Sequence, residues 1–86
     1  MWYVYILKSG LDGQLYVGST NDLRRRIQEH QNGQCKSTRG RIPLDLAAYV
    51  AVKHESTARE LEKYFKSGSG KATLRRRILT SEVPRT

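Results

Sequence analysis

Cysteine is almost missing from this chain. Cys35 stands alone among 86 residues, which excludes an intramolecular disulfide and a zinc site built from several cysteines, and makes a reducing cytoplasm the simplest setting. No apolar run approaches the length that a membrane-spanning helix needs. The opening Met1-Trp2-Tyr3 lacks the basic segment and cleavage site of a secretion signal, so none is expected. No internal repeat and no Rossmann or P-loop glycine pattern occurs. Acidic residues are sparse: 8 Asp+Glu stand against 16 Lys+Arg, giving a formal net charge of +8. That imbalance suits a polyanionic partner. From its length the chain is expected to form one domain with a modest core and no separate specificity module.

The basic residues are distributed along the chain, at Arg24 to Arg26, Lys36 to Arg41, Lys63, Lys66, Lys71 and Arg75 to Arg77. Charge alone is equally compatible with plain solubility or with a ribosome-associated protein.

The most specific stretch runs from Leu15 to His30 and reads as a strand ending at Gly18, a polar run from Ser19 to Asp22, and a helix. Side-chain oxygens in the polar run suit the unpaired N–H groups of a helix start. At about 100° per residue, Leu23 and Ile27 form the buried stripe, with Arg26 and His30 just beside it and Arg24, Arg25, Gln28 and Glu29 turned away. Upstream, Trp2 to Leu7 is aromatic and β-branched, as strands favour. Its alternation puts Tyr3, Tyr5 and Leu7 on one face and Trp2, Val4 and Ile6 on the other. Gly10 and Gly13 mark a hairpin turn; centred near Gly10-Leu11, it would set Tyr5 opposite Tyr16 and bring two phenols beside Arg26 and His30.

Gln31 to Pro43 is polar, with Gly33, Gly40 and Pro43, and is expected to be an exposed connection basic enough to touch phosphates. A third strand is expected over Leu44 to Val52, although Ala47 and Ala48 are poor strand formers. Ser56 or Thr57 should cap a helix running to Lys66, with Ala58, Leu61 and Phe65 as its apolar stripe. Ser67-Gly68-Ser69-Gly70 reads as a flexible break, and Ala72 to Leu79 as a short helix with Leu74 and Ile78 inward. Residues 1–79 are expected to form the single domain, and 80–86, with Pro84, a frayed tail.

The chain resembles the GIY-YIG nuclease family over residues 2–67, and most of all its small single-domain bacterial members. Val4-Tyr5-Ile6 stands in the first half of the signature and Tyr16-Val17-Gly18 in the second, followed in order by Asn21-Asp22-Leu23, Arg26 and His30. The resemblance implies a small α/β domain, a three-stranded antiparallel sheet flanked by helices. It also implies a metal-binding glutamate on a later helix. Among Glu55, Glu60 and Glu62, helical phase selects Glu62, which borders the apolar stripe while Glu60 points largely away. Two departures stand out: Tyr3 occupies the place of the first signature glycine, and no asparagine follows Asn32, where many members carry one late in the domain.

The resemblance therefore implies a metal-dependent DNA endonuclease or related phosphodiesterase, in a setting such as DNA repair. Its catalytic set would be Tyr5, Tyr16, Arg26, His30 and Glu62, with Glu62 holding Mg²⁺, or Mn²⁺ in its place. Arg26 would stabilise phosphoryl charge; either tyrosine could activate water, with help, since a phenol of ordinary pKa is neutral at pH 7. Arg24, Arg25, Lys36, Arg39, Arg41, Lys66, Lys71, Arg75 and Arg76 are expected to contact nucleic acid, DNA in preference to RNA. Targeting would come from substrate structure or from a protein partner. The competing reading is a non-catalytic DNA- or RNA-binding module, ribosome-associated in one form, which would bind in a salt-sensitive way and cut nothing.

Overall fold

A computed structural model describes residues 1–78. Leu79 and the expected tail over 80–86 lie outside the described residues. The strands are β1 (Trp2–Ser9), β2 (Leu15–Thr20) and β3 (Leu44–Val52); the helices are α1 (Leu23–Gln31), α2 (Glu55–Lys66) and α3 (Gly68–Thr73), which runs into a wider π turn over Leu74–Ile78. The sheet is three-stranded and antiparallel in the order β2-β1-β3, the expected arrangement.

The central place of β1 explains its composition. A strand covered on both faces must be apolar along its whole length, and Val4, Tyr5, Ile6 and Leu7 are all buried. Val4 and Ile6 join Leu15, Ala58, Phe65 and Leu74 in one core beneath α2 and α3. Tyr5 and Leu7 join Leu44, with Leu23 and Ile27 of α1, in a second core on the opposite face. In β3, Ala48 faces Ile6 and Leu46 faces Leu7, so Ala47 is an extra, unpaired residue and makes a bulge. The alanines that look weak for a strand thus mark where its pairing shifts.

Several local expectations are corrected. The hairpin closes with Ser9 N donating to Gln14 O at 2.9 Å, so Tyr5 faces Gly18 and Tyr16 faces Leu7. The tyrosines keep a common face but are not opposite one another. β2 continues past Gly18 because Ser19 and Thr20 still pair with Val4 and Tyr3. α2 begins at Glu55 after His54, without a side-chain cap from Ser56 or Thr57.

Ser67 to Gly70 is not a flexible break: α3 starts at Gly68, and the Ser67 hydroxyl caps it by accepting from Gly70 N at 3.1 Å. Gly70 is required by close approach, since a Cβ there would lie 2.5 Å from the Tyr64 carbonyl carbon and 2.7 Å from the Phe65 Cα. Leu74 is inward as expected, whereas Ile78 is 43% exposed. The connection after α1 is not wholly exposed either, because Cys35 and Thr38 are buried within it. Among the described residues, no helix is long and apolar enough to cross a membrane.

Candidate active site

Tyr5 sits where the central strand meets α1. Its partner Gly18 has no side chain, and the phenol occupies that space: a Cβ at Gly18 would come within 2.5 Å of the Tyr5 Cζ and closer still to the hydroxyl. The ring is held at its tip by α1. Asp22 caps that helix, its Oδ1 accepting from Arg25 N at 3.2 Å. One turn in, Arg26 Nε donates to the Tyr5 hydroxyl at 3.3 Å and Nη1 donates to Glu29 Oε1 at 3.0 Å. A turn later, His30 Nε2 lies 3.0 Å from the same hydroxyl. Glu29, expected to point away, is therefore the clamp on the far arm of Arg26.

Burial and charge set the protonation states. Tyr5 is 3% exposed; burial raises its pKa and outweighs the opposing effect of Arg26, so the resting phenol is neutral. His30 is 5% exposed. Burial, seconded by the Arg26 charge and opposed by Glu29, holds its pKa below the ordinary histidine value, so the ring is uncharged at neutral pH. Arg26 is held protonated by its bonds to Tyr5 and then Glu29.

Tyr16 shares a cleft with Arg26 and His30 but makes no hydrogen bond to either. Its hydroxyl accepts from Arg41 Nε at 3.1 Å, and Arg41 also pairs with Asp12 at 3.3 Å. Arg41 is thereby part of the scaffold of the site as well as an exposed cation.

Glu62 reaches the same place from the other layer. Its Oε1 accepts from Ser19 Oγ at 2.6 Å and its Oε2 from Lys66 Nζ at 2.8 Å. Burial raises its pKa, but the bonds from Lys66 and Ser19 outweigh burial and keep the carboxyl below the usual carboxylate range. Glu62 and Lys66 thus have the i,i+4 pairing that the helix spacing allows.

These groups line one cleft of about 510 Å³, with Tyr5, Tyr16, Arg26, His30 and Glu62 all on its wall. Lys66 and Lys71 line it too, and Glu62 is the one acidic side chain on the wall among the described residues. Of the other basic residues expected to contact nucleic acid, Arg24 and Arg25 are exposed on α1, Arg25 pairing with Asp22. Lys36 and Arg39 are exposed on the connection, and Arg75 and Arg76 on the last turn; none of these lines the cleft.

A divalent cation is compatible with what is there. No cluster of three or more His, Cys, Asp or Glu side chains capable of holding a metal occurs among the described residues. Mg²⁺, however, commonly takes one or two carboxylates and fills its shell with water and substrate phosphate oxygens. Glu62 is an ionised carboxylate on the wall of an open polar cleft, which matches that donor set.

Two polar partners escape sequence reasoning. Ser19 was readable in principle, since alternation beyond Gly18 puts it on the Leu15 and Val17 side, toward α2. Thr38, which lies 2.7 Å from His30 Nδ1, carries no sequence signal, because a tertiary turn brings it there.

A central antiparallel β1, a capped helix carrying Arg26 and His30, and a glutamate from the next helix define a GIY-YIG domain. The chain belongs to the GIY-YIG family: residues 1–76 match the sequence model of the GIY-YIG catalytic domain. Such domains are nuclease domains that act on nucleic acid and generally depend on a divalent metal. The UPF0213 protein YhbQ of Escherichia fergusonii is 34% identical over an alignment of 95 positions, gaps included, spanning 95% of this chain and 94% of that protein. The UPF0213 protein CPE1444 of Clostridium perfringens is 45% identical over 67 residues, 77% of this chain and 71% of its own. The solution NMR structure of the UPF0213 protein BH0048 from Bacillus halodurans superposes with a TM-score of 0.54 at 41% identity, covering 86% of this chain and 82% of that one.

Proposed function

We propose that the protein is a metal-dependent endonuclease that hydrolyses phosphodiester bonds in DNA in the cytoplasm, with Tyr5, Tyr16, Arg26, His30 and Glu62 as its catalytic residues. The observation that carries this reading is the bonded set Arg26–Tyr5–His30 sharing one cleft with the ionised Glu62. Hydrolysis needs an activated water, charge stabilisation at phosphorus and an exit for the leaving oxygen.

Tyr5 is the better placed of the two tyrosines to act as base. Its hydroxyl accepts from Arg26, which has no acceptor, and this leaves its own proton free for His30 Nε2, 3.0 Å away. Transfer of that proton to His30 leaves a phenolate held by Arg26 and an imidazolium. The phenolate then takes a proton from the attacking water as the new P–O bond forms and the bond to the leaving oxygen breaks. The leaving oxygen takes a proton from solvent in the open cleft; Tyr5 then releases to solvent the proton it took from water and recovers its own from the His30 imidazolium, which resets both groups. Tyr16, whose hydroxyl accepts from Arg41, has its proton free to donate to a phosphate oxygen. Lys66 and Lys71 add positive charge on the phosphate path. Glu62 would hold a divalent cation, which would supply charge neutralisation to the phosphoryl group.

The test is cleavage of labelled branched, single-stranded and duplex DNA with Mg²⁺ or Mn²⁺, comparing wild type with Glu62→Ala and Arg26→Ala purified identically. Metal-dependent cutting by the wild type, lost in both variants with binding and folding retained, is the expected result. DNA bound but left intact would overturn it in favour of a non-catalytic binding module.

A further inference from the structure

We propose that Thr38 is a positioning residue that holds His30 in its Nδ1–H tautomer, so that Nε2 faces Tyr5 as a bare acceptor. The inference deepens the phosphodiesterase reading and rests on it for its kinetic consequence alone.

Thr38 is 1% exposed, deeper than His30 itself. It is placed by backbone alone: Thr38 N donates to Cys35 O at 3.1 Å and Arg41 N donates to Thr38 O at 2.9 Å, closing a tight turn that folds the connection back over the end of α1. Its Oγ1 stands 2.7 Å from His30 Nδ1 and completes an unbroken path from Arg26 through Tyr5 and His30. Arg26 can only donate, so Tyr5 receives there, which leaves the phenol proton free for Nε2 whenever Nε2 is bare. A neutral ring with a bare Nε2 must carry its proton on Nδ1, and a buried Nδ1–H needs an acceptor. Thr38 Oγ1 supplies one both before and after His30 takes the Tyr5 proton.

A hydroxyl suits this role better than a carboxylate. A charged acceptor at this depth would favour the imidazolium and fill Nε2 with a proton before Tyr5 could give its own. The charged or titratable groups that act on the ring are Arg26 and Glu29 on its own helix and Tyr5 on β1.

Nitrogen chemical shifts of ¹⁵N-histidine-labelled protein report the tautomer directly, without any need for cleavage. The chain has two histidines, and His54→Gln assigns the signals. The wild type and Thr38→Ser are expected to show Nδ1–H at neutral pH. Thr38→Val, which leaves Nδ1 without an acceptor, is expected to shift to Nε2–H, donating to Tyr5. In cleavage assays Thr38→Val should lose on the order of 100-fold in kcat with KM little changed, the scale of one acid–base partner, and Thr38→Ser should recover it. A wild-type ring in the Nε2–H form, or a Thr38→Val ring still in the Nδ1–H form, would overturn the proposal. If Thr38→Val fails to fold, the wild-type tautomer together with Thr38→Ser decides. A protein that cuts no DNA but shows the expected tautomers would overturn the nuclease reading and leave the role of Thr38 standing.

Discussion

Gly18→Ala places a methyl group where the Tyr5 ring lies. Carbon atoms in contact settle at about 3.5–4.0 Å, and the added Cβ would stand 2.5 Å from the Tyr5 Cζ. The ring must therefore move by about 1 Å or more, away from His30 and Arg26. Overpacking of this kind costs about 1–3 kcal/mol, and each hydrogen bond lost at the hydroxyl about 1 kcal/mol. Against that, alanine in a strand gains about 0.5–1 kcal/mol over glycine. The net penalty is about 2–4 kcal/mol, which for a domain of this size lowers Tm by about 10–30 °C. Circular dichroism melts measure it, and a double-mutant cycle identifies its source, because removal of the ring by Tyr5→Ala should erase most of the Gly18→Ala cost. DNA cleavage should fall with the displaced hydroxyl at temperatures where the variant is still folded. A melt and a cleavage rate both like the wild type would refute the placement of Tyr5 over Gly18, and a penalty that persists without the ring would refute its cause.

Arg26→Lys keeps the charge but cannot serve Tyr5 and Glu29 from one planar fork, so cleavage should drop about 100-fold with DNA binding nearly unchanged and Tm lowered by about 4–8 °C for the one hydrogen bond lost. Glu62→Gln retains an acceptor for Ser19 but loses the charge, and should abolish metal-dependent cleavage while DNA affinity, measured by fluorescence anisotropy in EDTA, holds or rises. Gly70→Ala drives a methyl into the end of α2 and should cost about 3 kcal/mol in urea unfolding; a loss below a third of that would count against the close approach. His30 and Glu62 both titrate lower in the folded protein, so the unfolded chain binds more protons. Their stabilisation is complete above the ordinary histidine pKa of about 6.5 and declines as pH falls, first through His30 and then through Glu62. Urea midpoints from pH 8 to 4 that rose on acidification would contradict the sign.

What the sequence reveals is what local periodicity encodes. Alternation in Trp2 to Leu7 assigns Val4 and Ile6 to one core and Tyr5 and Leu7 to the other. Helical phase brings Arg26 and His30 together and separates Glu62 from the exposed Glu60. Turn lengths and contacts between elements are a different kind of information. The pairing of Tyr5 with Gly18 depends on where the hairpin closes, and a shift of two residues keeps every side chain on its face, so no pattern registers it. Ser67 to Gly70 has the composition of a linker, yet Ser67 serves as a cap and Gly70 is demanded by the close contact with Tyr64, a tertiary requirement that composition cannot distinguish from flexibility. Thr38 and Arg41 reach His30 and Tyr16 only through the fold of a polar connection that has no period at all.

The edge position of β2 makes this constellation possible. Tyr5, Arg26 and His30 belong to the α1 side of the sheet, while Ser19, Glu62 and Lys66 belong to the α2 side. Layers on opposite faces of a sheet are kept apart by it and can share a cleft only around a rim, which β2 provides. The site therefore depends on the β1–β2 register: a slip of one residue would send Tyr16 and Ser19 to the wrong faces together. The turn that sets this register is also tied to the site. Asp12 accepts from Gln14 N at 2.9 Å within the turn and pairs with Arg41, which in turn donates to Tyr16. Ser9, the last residue of β1, donates from its hydroxyl to the Arg41 carbonyl at 2.8 Å. The contacts that close the hairpin and those that orient Tyr16 are one network, so loosening the turn at Asp12 acts on register and site geometry at once.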